Sequence, residues 1–201
     1  MKYSTQARMF GMVYGSLVKN EITNKKVLSA IKKEYRAIMG RASDIGSHNN
    51  LFSSYTLCAY FIAMNRVTKL SPQANCKILE RQMEKSKLLK SFLGSKEQYC
   101  SEKKMEFRRK WSAETHEKKY ENDWVVDIVP GNGQYLFGFD YWECGVCKLC
   151  RDEGCPELAK YLCRLDYMLI SLVGLKLERT GTLADGAPKC DFRFIDPAQT
   201  K

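Results

Sequence analysis

No segment of the 201-residue chain approaches the roughly 18–20 consecutive apolar residues that a membrane-spanning helix requires. The most apolar run, 57–64, is short and ends at Asn65-Arg66. The opening residues hold no apolar stretch of signal-peptide length before Lys19, so the expected compartment is the cytoplasm. Internal repeats and low-complexity segments are also missing. Histidine is scarce: the two residues, His48 and His116, lie far from the cysteine-rich region described next. A composition of 44% hydrophobic and 28% charged residues excludes intrinsic disorder as the dominant state. The length fits one ordinary domain spanning 1–201.

What the chain does have is cysteine. Nine are present, and six of them (Cys144, Cys147, Cys150, Cys155, Cys163 and Cys190) follow residue 140. An odd count in a chain of this size with an expected reducing location argues against a disulfide scaffold. Such thiols are core residues, metal ligands or catalytic groups. Charge is uneven as well: residues 1–122 carry 24 Lys/Arg against 11 Asp/Glu, and residues 123–201 carry 9 against 12. The basic side chains sit at helical spacing among acidic ones, as in 77–87, and read as solvated helix faces rather than as a nucleic-acid surface. Arg108-Arg109-Lys110 beside Trp111 is the best candidate for a basic, stacking-capable patch.

Residues 1–122 read as a helical part. Thr23-Asn24 caps a helix to about Met39 with Val27, Ile31, Tyr35 and Ile38 on one stripe, and Gly40 is the expected stop. A loop is expected over 43–50. Residues 51–67 are apolar on most sides and predict a central buried helix. Ser71-Pro72 opens a helix whose apolar positions are Leu79, Met83, Leu88, Leu89 and Phe92, with Gly94 as its end. A last charged helix is expected over 97–120. From Trp124 the period changes to two: 124–129, a turn at 130–133, and 134–141 form a β-hairpin signal. A helical stretch over 144–172, broken near 154–156, leads to strands at 174–180 and 189–194. The expectation is α+β, an N-terminal helical layer on an antiparallel sheet of about four strands (123–201) with a helical crossover.

The run from Cys144 to Cys155-Pro156 departs from the ferredoxin pattern C-x2-C-x2-C-x3-C-P by one residue, and no second run exists, which disfavours an iron–sulfur cluster. A structural zinc site needs two spaced pairs, and the remaining cysteines are not paired so. Cys147 and Cys150 read as small core residues. Cys163 and Asp166, three apart on a helix, share a face, and Cys190-Asp191 again joins a thiol to a carboxylate. With Arg179 these form either a polar pocket at the sheet edge or a buried Asp166–Arg179 ion pair, and both readings stand.

The segment from Glu178 to Phe194 resembles the closing signature R-T-x-T-L-A-x-G-x-x-x-C-D-F-R of the L-2-amino-thiazoline-4-carboxylic acid hydrolase family, and Cys144 and Cys163-x-x-Asp166 resemble elements that precede it there. The same region is distantly similar to vinyl-reductase-type small-molecule-binding domains. The resemblance implies hydrolytic opening of a cyclic isothiourea to N-carbamoyl-L-cysteine. In that casting Cys163 or Cys190 is the nucleophile, Asp166 and Asp191 exchange protons, and Arg179, Thr180 and Thr182 bind the substrate. A divalent metal held by Cys163, Asp166, Cys190 and Asp191 is a variant of it. The implied partner is a small molecule, with neither nucleic acid nor membrane; a homo-oligomer is left open. The rival reading is a sensor-type domain that binds a small molecule or metal and catalyses nothing.

Overall fold

The change of period at Trp124 is also the change of architecture in a computed structural model of the chain, which describes residues 4–46 and 49–199. Before it lie α1 (Thr5–Val18), α2 (Lys25–Arg41), α3 (Phe52–Val67), α4 (Pro72–Lys85), α5 (Lys87–Leu93), α6 (Lys96–Tyr99) and α7 (Glu102–Thr115). After it come β1 (Val125–Pro130), β2 (Phe137–Glu143), α8 (Gly145–Asp152), α9 (Ala159–Leu172), β3 (Lys176–Glu178) and β4 (Cys190–Ile195). The strands pair in the order β1-β2-β4-β3, antiparallel throughout, with α8 and α9 forming the crossover. The fold is α+β, as the periodicity predicts.

Side-chain caps set the helix starts. Asn24 Oδ1 accepts from the N–H groups of Lys26 and Val27, and Ser71 Oγ accepts from Ala74 ahead of Pro72. The α2 stripe of Ile31, Tyr35 and Ile38 is buried against α3, which is itself enclosed on almost every side. Strand β1 is an edge, and α7 covers it: Ser112 Oγ donates to Val126 O at 2.7 Å and Val126 N donates to Thr115 Oγ1 at 3.2 Å. Those two bonds satisfy backbone groups that an open edge would present to other chains.

Several boundaries differ from expectation. Helix α2 runs through Gly40 to Arg41, because a helical glycine weakens a helix without forbidding it, and Ala42 makes the exit. The helix expected to run to Gly94 breaks at Ser86, whose own N–H closes α4 and whose hydroxyl caps α5. Leu88 and Phe92 consequently point to solvent instead of extending the stripe. The helix expected over 97–120 is divided at Ser101 and ends at Thr115. The basic patch is corrected too: Arg108 and Trp111 are both buried, with the Arg108 guanidinium stacked 4.1 Å from the Tyr99 ring centroid and bonded to Tyr99 O. Its charge serves the core, so only Arg109 and Lys110 remain on the surface. Ser47 and His48 of the expected loop lie outside the described residues.

The C-terminal end of α8 is tied to the helical part by charge. Glu153, whose side chain is 5% accessible, meets Arg41 at 2.6 Å and Arg66 at 2.7 Å, and Arg66 also reaches Glu34 at 2.8 Å. Burial opposes ionisation of Glu153, but the two arginines hold its carboxyl below the usual carboxylate range. Glu153→Ala is therefore expected to lower stability by about 1–2 kcal/mol, since both arginines can still reach water. Urea unfolding at neutral pH would check this through a lowered midpoint with an unchanged slope.

Candidate functional site

In a β-strand successive side chains point to opposite faces, and antiparallel partners in register share a face. The register Phe137↔Phe194, Phe139↔Phe192 and Tyr141↔Cys190 therefore puts these aromatic rings and the Cys190 thiol on the covered side of the sheet. Leu177 pairs with Phe194 on that side, and two residues later Arg179 turns inward as well. Helix α9 crosses above with Leu162, Leu165 and Leu169 at helical spacing, and Cys163 and Asp166 flank that stripe. Between them lies a cavity of about 110 Å³, floored by Tyr141 and Phe192 and closed by Leu51, Ser54 and Leu57 at the start of α3.

The polar end of this cavity is the pair expected from sequence. Arg179 Nη1 donates to Asp166 Oδ2 at 2.9 Å, Nη2 donates to Cys163 O, and Nε donates to Tyr167 Oη at 3.2 Å. The guanidinium lies between the rings of Tyr167 and Phe192, 4.6 and 5.1 Å from their centroids. The Asp166–Arg179 ion pair of one reading is present and lines a pocket, whereas the pocket of the other reading is met only in part, since Cys163 and Cys190 line it and Asp191 does not. Burial raises the Asp166 pKa to about 6, against the opposing pull of Arg179. Burial also works against the Arg179 charge, but Asp166 outweighs it and holds the guanidinium above its ordinary value. Asp166 is thus poised near neutrality in an apolar enclosure, the condition for moving a proton at physiological pH.

The thiols divide by environment. Cys163 and Cys190 both line the cavity. Burial pushes the Cys163 thiol up, with Asp166 adding to it, and burial pushes Cys190 up to about 11 while Leu183 N donates to its sulfur at 3.1 Å. Both stay protonated thiols at neutral pH. Cys144 behaves oppositely. It stands at the N-cap of α8 and lines the same cavity. The Cys147 thiol, followed by the backbone N–H groups of Cys147 and Val146, holds its pKa below the ordinary thiol value in spite of burial. Cys150 is fully buried 3.5 Å from Cys58 Sγ, and Cys147 packs partly buried against the core, as their core reading predicts.

Asp191, Thr180 and Thr182 are placed elsewhere. Strand alternation turns Asp191 to the face opposite Cys190. Its Oδ1 accepts from Thr180 N (2.9 Å) and Gly181 N (3.1 Å), and its Oδ2 from Thr180 Oγ1 (2.8 Å). Thr182 is buried and exchanges hydrogen bonds with Asp185 across the turn at Leu183–Asp185. None of the three lines the cavity.

The four-residue metal set does not fit a cation. One Asp166 oxygen faces a guanidinium and both Asp191 oxygens face backbone or hydroxyl donors. Among the described residues no three His, Cys, Asp or Glu side chains gather as metal ligands.

The cavity residue that the casting passed over is Cys144. Grouped with the conspicuous run to Cys155, it reads as helix packing, yet a cysteine between the end of a strand and the start of an amphipathic helix occupies an N-cap, where a thiolate is stabilised. That position was the available signal.

Comparison with known proteins agrees with this geometry in extent. A family model described as L-2-amino-thiazoline-4-carboxylic acid hydrolase matches residues 4–194, helical part and sheet together. No curated protein and no solved structure matches the chain. Among the described residues no helix is long and apolar enough to cross a membrane.

Proposed function

The chain belongs to the L-2-amino-thiazoline-4-carboxylic acid hydrolase family, and from that membership we propose that its cavity hydrolyses a small cyclic isothiourea, L-2-amino-thiazoline-4-carboxylate or a close analogue, to N-carbamoyl-L-cysteine. The observation that carries this reading is the Asp166–Arg179 pair turned into an otherwise apolar cavity, with Asp166 held near pKa 6. The size agrees. At roughly 10–15 Å³ for each water-sized group, about 110 Å³ accepts one compact ring with its substituents.

The reaction needs a cation for the substrate carboxylate and a proton carrier for the departing sulfur. Arg179 spends one hydrogen of each terminal nitrogen on Asp166 and on Cys163 O, which leaves the second hydrogen of each for a carboxylate. Asp166, ionised at rest, takes a proton as the attacking group adds to the ring carbon between N and S. It returns that proton to the ring sulfur as the C–S bond breaks. Tyr141 and Ser54, whose hydroxyls have no hydrogen-bond partner among the described residues, are cast as contacts to the ring nitrogens. Asp191, Thr180 and Thr182 are cast as the frame that holds the strand end carrying Arg179.

The test is direct. Purified protein incubated with L-2-amino-thiazoline-4-carboxylate is expected to release N-carbamoyl-L-cysteine, resolved by chromatography. Because the carboxylate form of Asp166 is required, kcat/KM should fall about tenfold per pH unit below about pH 6. Ring binding without product between pH 5 and 9 would instead identify a small-molecule-binding domain.

A further inference from the structure

We propose that Cys144, rather than Cys163 or Cys190, attacks the substrate, so that ring opening proceeds through an intermediate bound covalently to Cys144; this rests on the hydrolase reading above. Three thiols line the cavity, and they differ in what surrounds each sulfur. Cys163 sits within α9, where burial and then Asp166, one turn along the same helix, oppose a thiolate. Asp166 opposes one at Cys144 too, but there Cys147 and the helix start outweigh it. Cys190 is closed off in β4, 5% accessible, and burial keeps it a protonated thiol even though Leu183 N donates to its sulfur. Cys144 is the one presented at a helix start: it is the N-cap residue of α8, where the helix dipole favours negative charge, and the neighbouring Cys147 thiol is the main influence holding its pKa below the ordinary thiol value.

Its position is also fixed. Lys148 N donates to Cys144 O at 3.0 Å, the first bond of α8. Lys148 Nζ ties the same junction to the carbonyls of Glu121 (2.9 Å) and Asp123 (2.8 Å) and to the Glu143 carboxylate. Gly145 lets the chain approach so closely that a Cβ there would stand 2.5 Å from Asn122 O and 2.8 Å from the Trp124 ring. A nucleophile held in this way need not be ordered when the substrate arrives.

The chemistry balances without an outside reagent. Cys144 Sγ bonds to the carbon between ring N and ring S, and its proton passes to Asp166. The ring C–S bond breaks, and the ring sulfur leaves with the electron pair and takes that proton. The product so far is an open-chain isothiourea joined to Cys144. Water then adds to the same carbon and gives a proton to Asp166. The bond to Cys144 breaks, the pair and the proton return to its sulfur, and the carbamoyl group is left on nitrogen. Nothing is oxidised or reduced, and one water is consumed.

The experiment has two arms on the full chain. In the first, native protein is alkylated with iodoacetamide at neutral pH and mapped by mass spectrometry. Cys144 is expected to react faster than Cys147, Cys163 and Cys190; slower reaction of Cys144 than of Cys163 or Cys190 overturns the proposal. In the second, Cys144→Ala and Cys144→Ser are assayed with L-2-amino-thiazoline-4-carboxylate. A loss of at least about 10³-fold in kcat is expected, with the alkylated wild type losing turnover in step with Cys144 modification. Turnover within about tenfold of wild type in either variant, or after full alkylation of Cys144, overturns it while the hydrolase reading stands. A wild type that opens no thiazoline removes the substrate reading instead, and the alkylation arm then decides on Cys144 alone.

Discussion

Asp166→Asn is expected to lower kcat for thiazoline opening by about 10²–10⁴-fold, the usual contribution of a positioned acid–base group, with a much smaller change in KM. Asparagine keeps the shape and can still accept from Arg179 Nη1, where Asp166 Oδ2 accepts at 2.9 Å, so the cavity should survive. What disappears is a group that changes charge near pH 6. The kinetic limb below pH 6 should vanish from the residual activity, which distinguishes loss of a proton carrier from loss of structure. Stability offers an independent readout. Because burial raises the folded pKa of Asp166 above its unfolded value, the folded chain binds more protons than the unfolded one between about pH 4 and 6. Its contribution to stability is full below the unfolded pKa and is lost as pH rises through about 6. Urea midpoints of Asp166→Asn should lack that decline. If the variant retains both the kinetic limb and the wild-type pH dependence of stability, Asp166 is not the titrating group.

Much of this arrangement is legible in the sequence, and the parts that are not have identifiable causes. The hairpin, the crossover and the α+β class follow from periodicity, because a period of two and a period of 3.6 bury different residues. The approach of Cys163 and Asp166 follows from their spacing on a helix. The fate of Cys190-Asp191 was also readable: adjacent residues on a strand face opposite ways, so a thiol and carboxylate side by side in sequence cannot both enter one cavity. The break at Ser86 was hidden because a serine inside an otherwise regular stripe carries no breaker signal until its hydroxyl finds Leu89 N. Arg108 was misread for a related reason. Three basic residues in a row suggest a surface, but on a helix they point in three directions, and one of them reached the core. Cys144 was obscured by its neighbours, since a cluster of thiols draws notice to spacing and away from which member precedes the helix.

The largest effect on binding is expected from Arg179→Met, which keeps the apolar stem and removes the guanidinium. Loss of a charge-assisted clamp on the substrate carboxylate should raise KM by about 10²-fold, equivalent to the 2–3 kcal/mol typical of such bonds. The substitution also strands Asp166, and the direction of that effect is fixed. Arg179 is what lowers the Asp166 pKa against burial, so its removal lets the pKa climb further above 6. The acid limb of kcat/KM should therefore move to higher pH. An aspartate in this position is 34% accessible through the cavity it lines, so the stability cost is set below the value for a fully enclosed broken pair, at about 1–3 kcal/mol. That cost has a pH signature. At pH 5 the stranded carboxyl is protonated and tolerates the cavity; at pH 8 the unfolded chain releases its proton freely while the folded chain resists, and stability falls. Arg179→Met should consequently be closer to wild type in urea midpoint at pH 5 than at pH 8. Adding Asp166→Asn should restore much of the loss at pH 8, because no charge is then left in the cavity. An equal destabilisation at both pH values, or no rescue in the double variant, would mean that Arg179 acts through packing between Tyr167 and Phe192 and not through its charge.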